Sequence, residues 1–366
     1  MTEMTETGTG PPGGPADPVR PGASEAGRDL PGLDLEAFGS YFTAAYPGIT
    51  SGPLRASVLA GGKSNITYEV TDGRDRWVVR RPPLGHVLAT AHDMAREYRV
   101  ISALAGTSVP VPRTFLLCED TGVIGAPFYV MEKVAGTAYR SAAQLETIGA
   151  ERTRAIAMRM IGTLADLHAV DPDAVGLADF GRPQGFLARQ VRRWKKQLDS
   201  SRSRDLPGAE DLYAALEARI PAESDVAIVH GDYRLDNLLV GEDDRVLAVL
   251  DWEMATLGDP LADIALLLAY QALARLETGY AVADAAVAPG FPDADTIAAV
   301  YAERSGRDLS DLGFHLGLGY FKIAVICEGI YYRYTHGQTL GEGFGDIGAA
   351  SEPLIQAGLA IMKENS

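Results

Sequence analysis

Residues 229–253, VHGDYRLDNLLVGEDDRVLAVLDWE, constrain this chain more than any other stretch. They read as the end of a short strand, a polar loop, a β-hairpin and a second loop that carries an acid. Asp232 and Asn237 stand five residues apart on the first loop, and Asp251 follows the apolar run 246–250. Between them Gly241-Glu242-Asp243-Asp244 supplies the turn chemistry that joins residues 238–240 to 246–250. Two chain ends thus bring three oxygen-bearing side chains into one small space. Such a cluster suits Mg²⁺ held on a nucleotide while an acceptor hydroxyl loses its proton.

The spacing sharpens this. His230-Gly231-Asp232 precedes Asn237 with the interval of the kinase catalytic loop, H-R-D-x-x-x-x-N. Asp251 then falls 14 residues after Asn237, where a kinase carries the aspartate of its Asp-Phe-Gly turn. HGDYRLDN followed by LDWEMATLGDPLAD resembles the aminoglycoside phosphotransferase and choline kinase superfamily. Within it the chain is most similar to the branch related to the kinase-like domains fused to some acyl-CoA dehydrogenases. The resemblance spans roughly residues 45–340 and is densest over 229–263.

It implies a two-lobed α+β kinase-like fold, a small antiparallel sheet lobe over a larger helical lobe with the nucleotide between. Asp232 is then the catalytic base rather than a turn acid, and Asn237 and Asp251 are metal ligands rather than turn residues. Arg234 matches the place of a cation that steadies the moving phosphoryl group, against a surface salt bridge. His230 is expected to support the metal-binding loop, not to act as a base. Asp259 and Asp263, in GDPLAD, are expected to brace the catalytic loop and cap the following helix.

Upstream, residues 54–60, 65–71 and 76–81 read as three strands, with Gly61-Gly62-Lys63-Ser64-Asn65 turning between the first two. Glycines there let backbone N–H groups approach phosphate, which nominates Gly62, Lys63, Ser64 and Asn65; a plain hairpin turn is the alternative. Alternation in WVVRR puts Val78 and Arg80 on one face. Arg80 stands where kinases have a Lys that binds the α/β-phosphates, and Arg81 is the alternative. Glu97, on a helix at about 90–104, is its candidate partner. Strands at 111–118 and 127–134 complete the small lobe. The resemblance places a hinge at 135–137, with Met131 and the backbone of Glu132 and its neighbours beside the adenine.

The rest is mainly helical, with spans at 150–169, 185–198, 294–305, 312–336 and 349–363. The second combines an apolar stripe, Leu187, Val191, Trp194 and Leu198, with Arg189, Arg192, Arg193, Lys195 and Lys196. It reads as a solvated face or as docking for an anionic acceptor. Arg193, Glu328, Tyr332 and Arg333 are the candidate acceptor contacts.

Residues 1–32 are Gly/Pro-rich without periodicity and read as a disordered tail. Residues 33–134 read as the nucleotide lobe and 135–366 as the catalytic and acceptor lobe. Six His and two Cys exclude a Cys/His zinc framework, and Cys118 and Cys327 are expected to stay reduced. The chain shows no long charge-free apolar run and no basic, apolar leader, so the expected compartment is the cytoplasm, away from membranes. A net charge of −16 argues against nucleic acid.

The expected reaction is γ-phosphoryl transfer from ATP or GTP, with Mg²⁺, to a hydroxyl of a small metabolite or antibiotic. A hydroxyacid or hydroxyacyl-CoA acceptor is one alternative; a nucleotide-binding pseudokinase is another. A protein kinase is disfavoured, because only seven residues separate Asp251 from Asp259-Pro260. Oligomeric state is not legible.

Overall fold

The computed structural model describes residues 29–59, 65–85, 93–222, 225–276, 284–338 and 345–364. It opens with a small hairpin, β1 (Asp29–Leu30) and β2 (Leu33–Asp34). Residues 29–32, assigned to the tail on composition, are therefore ordered against the lobe. The reason is local: Tyr68 donates its hydroxyl to Pro31 O (2.5 Å) and Arg81 donates to Gly32 O (2.5 Å). Asp34 then caps α1 (Leu35–Ala45), accepting from the N–H groups of Glu36 (3.1 Å) and Ala37 (2.9 Å).

Five strands follow: β3 (Arg55–Val58), β4 (Ile66–Thr71), β5 (Arg76–Arg81), β6 (Thr114–Cys118) and β7 (Phe128–Glu132). They pair antiparallel in the order β3-β4-β5-β7-β6. Side chains alternate across the sheet, and the two faces do different work. Trp77 and Val79 point with Tyr68, Phe128 and Val130 into a core covered by Phe38 and Phe42 of α1. Val78, Tyr129 and Met131 point the other way, into the core shared with the large lobe. Over that second face lies α2 (Met94–Leu104), capped by Asp93 and anchored by Met94, Val100, Ile101 and Leu104.

Two short helices, α3 (Thr121–Ile124) and α4 (Ala142–Glu146), flank the passage into the large lobe. That lobe holds α5 (Ala150–Ala169), α6 (Phe186–Ser201) and α7 (Ala209–Ala218), the last unforeseen from sequence. Next come β8 (Ala227–Val229), β9 (Leu238–Val240), β10 (Val246–Val249) and β11 (Thr256–Gly258). β9 and β10 form the expected hairpin, whereas β11 pairs back onto β8. Four helices finish the chain: α8 (Leu261–Ala274), α9 (Ala294–Ser305), α10 (Leu312–Thr335) and α11 (Ser351–Glu364). The fold is the expected two-lobed α+β kinase-like one.

By length and hydropathy α10 alone among the described helices could cross a membrane, but 67% of its apolar window is buried against the protein. It packs on α6, α8 and α11, and it is the central core helix of the large lobe. Cys118 and Cys327 are free thiols in separate cores, one per lobe.

Candidate active site

Strand alternation decides which arginine of β5 faces the cleft. Arg80, 12% exposed, places Nε 3.0 Å from Glu97 Oε2 and Nη2 2.5 Å from Asp251 Oδ1, with Glu253 Oε2 at 4.0 Å. Arg81 turns to the opposite face, donating to Pro82 O (3.1 Å), Gly32 O and Ile124 O (3.0 Å). Burial works against the Arg80 charge, yet neighbouring Tyr129, Glu97 and Asp251 outweigh it and hold the guanidinium firmly protonated.

Glu97 receives more than Arg80. Asn65 donates Nδ2 to its Oε1 (2.9 Å) and Tyr129 donates its hydroxyl to Oε2 (3.0 Å). Burial nevertheless pushes Glu97 up from 4.5 to about 7, overcoming the pull of Arg80 and Tyr129, with Asp251 and Glu253 adding repulsion. Stability tied to its protonated form is therefore complete below 4.5 and is lost as pH rises through about 7. Glu97→Gln keeps the shape and cannot ionise. Between about pH 5 and about pH 8 the nucleotide-free wild type should lose several degrees of melting temperature relative to this variant. Parallel melting curves across that range would refute the assignment.

The catalytic loop is held from behind. Asp263, 1% exposed at the start of α8, accepts from the backbone N–H of His230 (2.6 Å) and Gly231 (2.8 Å) and lies 3.2 Å from His168 Nε2. Burial alone would raise its carboxyl; the hydrogen bond and attraction of His168 and the hydrogen bond from the His230 backbone outweigh that and lower it. Asp259 accepts from Leu261 N (2.9 Å), capping α8, and lies 3.0 Å from His315 Nε2. The expected brace and cap are both present. Asp263→Asn should cost roughly 3 kcal/mol or more, read by urea unfolding; a loss under about 1 kcal/mol would make the brace dispensable.

His230 is fully buried and ties two loops together. Its Nδ1 accepts from Asp232 N (3.2 Å) while Nε2 lies 2.9 Å from Leu250 O, with Trp252 packed on the ring at 4.8 Å. Both nitrogens are thus committed, one as acceptor and one as donor. Leu250 N donates to Asn237 O (2.8 Å), which sets Asp251 beside Asn237. Asp251 itself has φ +65°, uncommon for a residue with a Cβ.

Asp232 and Asn237 touch directly: Asn237 Nδ2 donates to Asp232 O (2.9 Å) and Oδ2 (3.2 Å). Arg234 is no surface residue; its side chain is 16% exposed, bridging Asp232 (3.3 Å) and Asp236 (3.0 Å). Its guanidinium lies over the Tyr270 ring at 4.6 Å. Burial and the Asp232 charge keep that tyrosine's hydroxyl neutral.

Two cavities flank this loop. One, of about 250 Å³, is lined by Val78, Arg80, Met131, Glu132, Asn237 and Asp251. Glu132 donates its own N–H to Arg113 O (2.8 Å), and Lys133 and Val134 continue this wall. Gly62, Lys63 and Ser64 lie outside the described residues. The second cavity, about 660 Å³, is lined among others by Arg182, Arg189, Arg193, Trp194, Gly231 and Lys322.

Of the expected acceptor contacts, only Arg193 reaches the second cavity. Glu328 is fully buried elsewhere, accepting from Ser203 (2.7 Å) and Arg204 (3.1 Å) as a tie between α10 and the segment after α6. Tyr332 stacks on His336 at 4.1 Å, and neither it nor Arg333 lines either cavity. These three were misplaced because aromatic and charged residues at a helix end look alike whether they face a pocket or a neighbouring loop. Glu253, Tyr129 and Lys322 were missed. Glu253 had a signal, standing two residues after Asp251; the other two had none.

The profile of the phosphotransferase enzyme family matches residues 55–299. The chain belongs to that family. Among curated proteins, this phosphotransferase-family chain is 35% identical over 359 residues to chicken (Gallus gallus) acyl-CoA dehydrogenase family member 11. The match takes in 95% of the chain but 46% of the relative, so the chain spans about half the length of that relative. A solved protein of Ralstonia eutropha JMP134, provisionally described as an aminoglycoside phosphotransferase, is 35% identical with a TM-score of 0.79. That superposition covers 90% of this chain and 98% of the other. Aminoglycoside 2'-phosphotransferase-IIIa, solved with GDP, shares the fold at 15% identity and a TM-score of 0.58, covering 91% of this chain and 98% of its own.

Proposed function

We propose that the chain transfers the γ-phosphoryl group of ATP or GTP to a hydroxyl of a small molecule. The observation that carries this is Arg80 of the small lobe meeting Glu97 and Asp251, beside the directly bonded pair Asp232 and Asn237. The nucleotide would lie in the cavity that Arg80, Met131, Glu132 and Asp251 share, with Arg80 facing its phosphates. The GDP complex of the aminoglycoside enzyme that shares the fold supports nucleotide binding.

The donor set fits Mg²⁺. Asn237 has committed its amide nitrogen to Asp232, which leaves Oδ1 as its oxygen donor, and both Asn237 and Asp251 line the cavity. No group of three or more His, Cys, Asp or Glu that could hold a metal occurs among the described residues. Two protein oxygens completed by phosphate and water is how Mg²⁺ is usually held. When bound it would neutralise charge on the phosphates. Asp232 would orient the acceptor hydroxyl and take its proton, and Arg234, braced by Asp236 and Tyr270, would keep a positive charge beside the reacting group.

The second cavity favours one acceptor reading over another. Arg182, Arg189, Arg193 and Lys322 on its walls outnumber Asp93, Glu253 and Asp263. A hydroxyacid or hydroxyacyl-CoA suits that wall better than a polycationic aminoglycoside, and the acyl-CoA dehydrogenase relatives agree with it.

The test is calorimetric titration of ATP and GTP with and without Mg²⁺, followed by transfer assays on a panel of cationic and anionic alcohols. Metal-dependent nucleotide binding with turnover of anionic alcohols is the expected result. Turnover of aminoglycosides alone would overturn the acceptor reading, and nucleotide binding indifferent to every acceptor would favour the pseudokinase.

A further inference from the structure

Lys322 lies on the middle of α10, one turn after Gly319, where that helix packs on α8. A Cβ on Gly319 would sit 3.3 Å from Ala265 O and 3.4 Å from the Ala269 side chain, so the glycine permits this approach. The lysine reaches past it to the catalytic loop, donating Nζ to Gly231 O at 3.0 Å. The same ammonium lies 5.5 Å from the centre of the Trp194 ring, which the Arg193 guanidinium also approaches at 5.6 Å. Asp232 and Asp263, whose charges act on it, pair instead with Arg234 and His168. A charged donor in a cavity wall, spent on one backbone carbonyl, is an expensive way to hold a loop unless the hold matters.

Gly231 is the residue it holds, and that residue is fixed on every side. Its N–H is taken by Asp263 Oδ1 (2.8 Å), and its φ of +82° is a conformation that suits glycine. A Cβ there would meet Met254 O at 2.8 Å. The Gly231 carbonyl that accepts from Lys322 belongs to the peptide whose nitrogen is Asp232's own. Any rotation of that peptide turns the Asp232 side chain.

We propose that Lys322 is a positioning residue for phosphoryl transfer, fixing the Gly231–Asp232 peptide so that the Asp232 carboxylate meets the acceptor hydroxyl in line. The inference rests on the reading of the chain as a phosphotransferase. It assigns to α10 a part in the chemistry that the nucleotide cleft does not need, since Lys322 lines only the cavity on the acceptor side.

The test compares the full-length wild type with Lys322→Met, which keeps the stem without the charge, and Lys322→Arg, which keeps the charge. Each is assayed with saturating MgATP or MgGTP against the alcohol panel, and against water as acceptor through nucleotide hydrolysis. Lys322→Met should lower kcat about 10²-fold, the scale of a 1 Å misplacement, while the nucleotide KM stays within about twofold. Lys322→Arg should recover most of the loss. The pH profile adds a second readout. Burial lowers the Lys322 pKa despite Asp232 and Asp263, with Arg193 and Arg234 acting in the same sense as burial. His315 on α10 and Glu253 share that cavity. Wild-type kcat should therefore fall on an alkaline limb as Lys322 loses its proton, and Lys322→Arg should abolish that limb.

A Lys322→Met enzyme with kcat near wild type would overturn the inference, as would a parallel loss of kcat, nucleotide KM and melting temperature. Should Lys322→Met not fold, Lys322→Arg decides, because an alkaline limb that persists in it also overturns the inference. Wild type that neither binds nucleotide nor transfers to any alcohol or water refutes the phosphotransferase reading, and this inference falls with it. That failure shows in the wild type before any variant is made.

Discussion

Asp251→Ala should abolish turnover to within background, a loss of at least about 10³-fold, and should remove the Mg²⁺ dependence of nucleotide binding. The geometry leaves little redundancy. Asp251 shares its cavity with Asn237, whose amide nitrogen is already bonded to Asp232. It also holds Arg80 by a 2.5 Å contact. Removing the carboxylate takes away one of the two oxygens proposed to hold Mg²⁺ and frees Arg80 to pair with Glu97 and Glu253 alone. Calorimetry with ATP and GTP, each with and without Mg²⁺, checks the binding half of this result, and a transfer assay checks the other. A variant that still shows a metal-dependent affinity equal to wild type would remove Asp251 from the site.

Asp232→Asn should separate binding from chemistry. The amide keeps the size of the side chain and can still accept from Asn237, so the loop should keep its shape. What it loses is a group able to take a proton and the charge that Arg234 faces at 3.3 Å. The expected fall in kcat is about 10²–10⁴-fold, with nucleotide affinity unchanged in the same calorimeter. A variant with wild-type kcat would transfer the role of base elsewhere. His230 is a poor successor, because both its ring nitrogens are engaged and the ring is sealed under Trp252.

Much of this site could be read from the chain because its parts are close in sequence. Asp232 and Asn237 precede the β9–β10 hairpin, Asp251 follows it, and Asp263 comes within a helical turn of the Gly-Asp-Pro cap, so spacing together with the family resemblance placed them. Arg80 was legible for a different reason: on a strand a one-residue step changes the face, and Arg81 indeed buries itself under Gly32 and Ile124. The acceptor side was not legible. Lys322 reaches Gly231 across 91 residues, and its place depends on how closely α10 can approach α8. Helical periodicity tells which positions share a face, but it does not tell which neighbour that face meets. Glu328 shows the same limit in reverse, its pairing with Arg204 turning an expected pocket acid into a structural one.

The two polar anchors of α10 also have a mechanical consequence. Lys322 and Glu328 stand six residues apart, about 9 Å of helix rise, and each is bonded to a different part of the lobe. Sliding the helix by one turn would break both at once. The helix therefore acts as a ruler with two fixed marks, and Leu318 and Gly319, which it presents to the second cavity, are held at a set place along the wall that Gly231 shares. A lineage that changes the size of this cavity has to do so by exchanging side chains along that ruler, not by moving it.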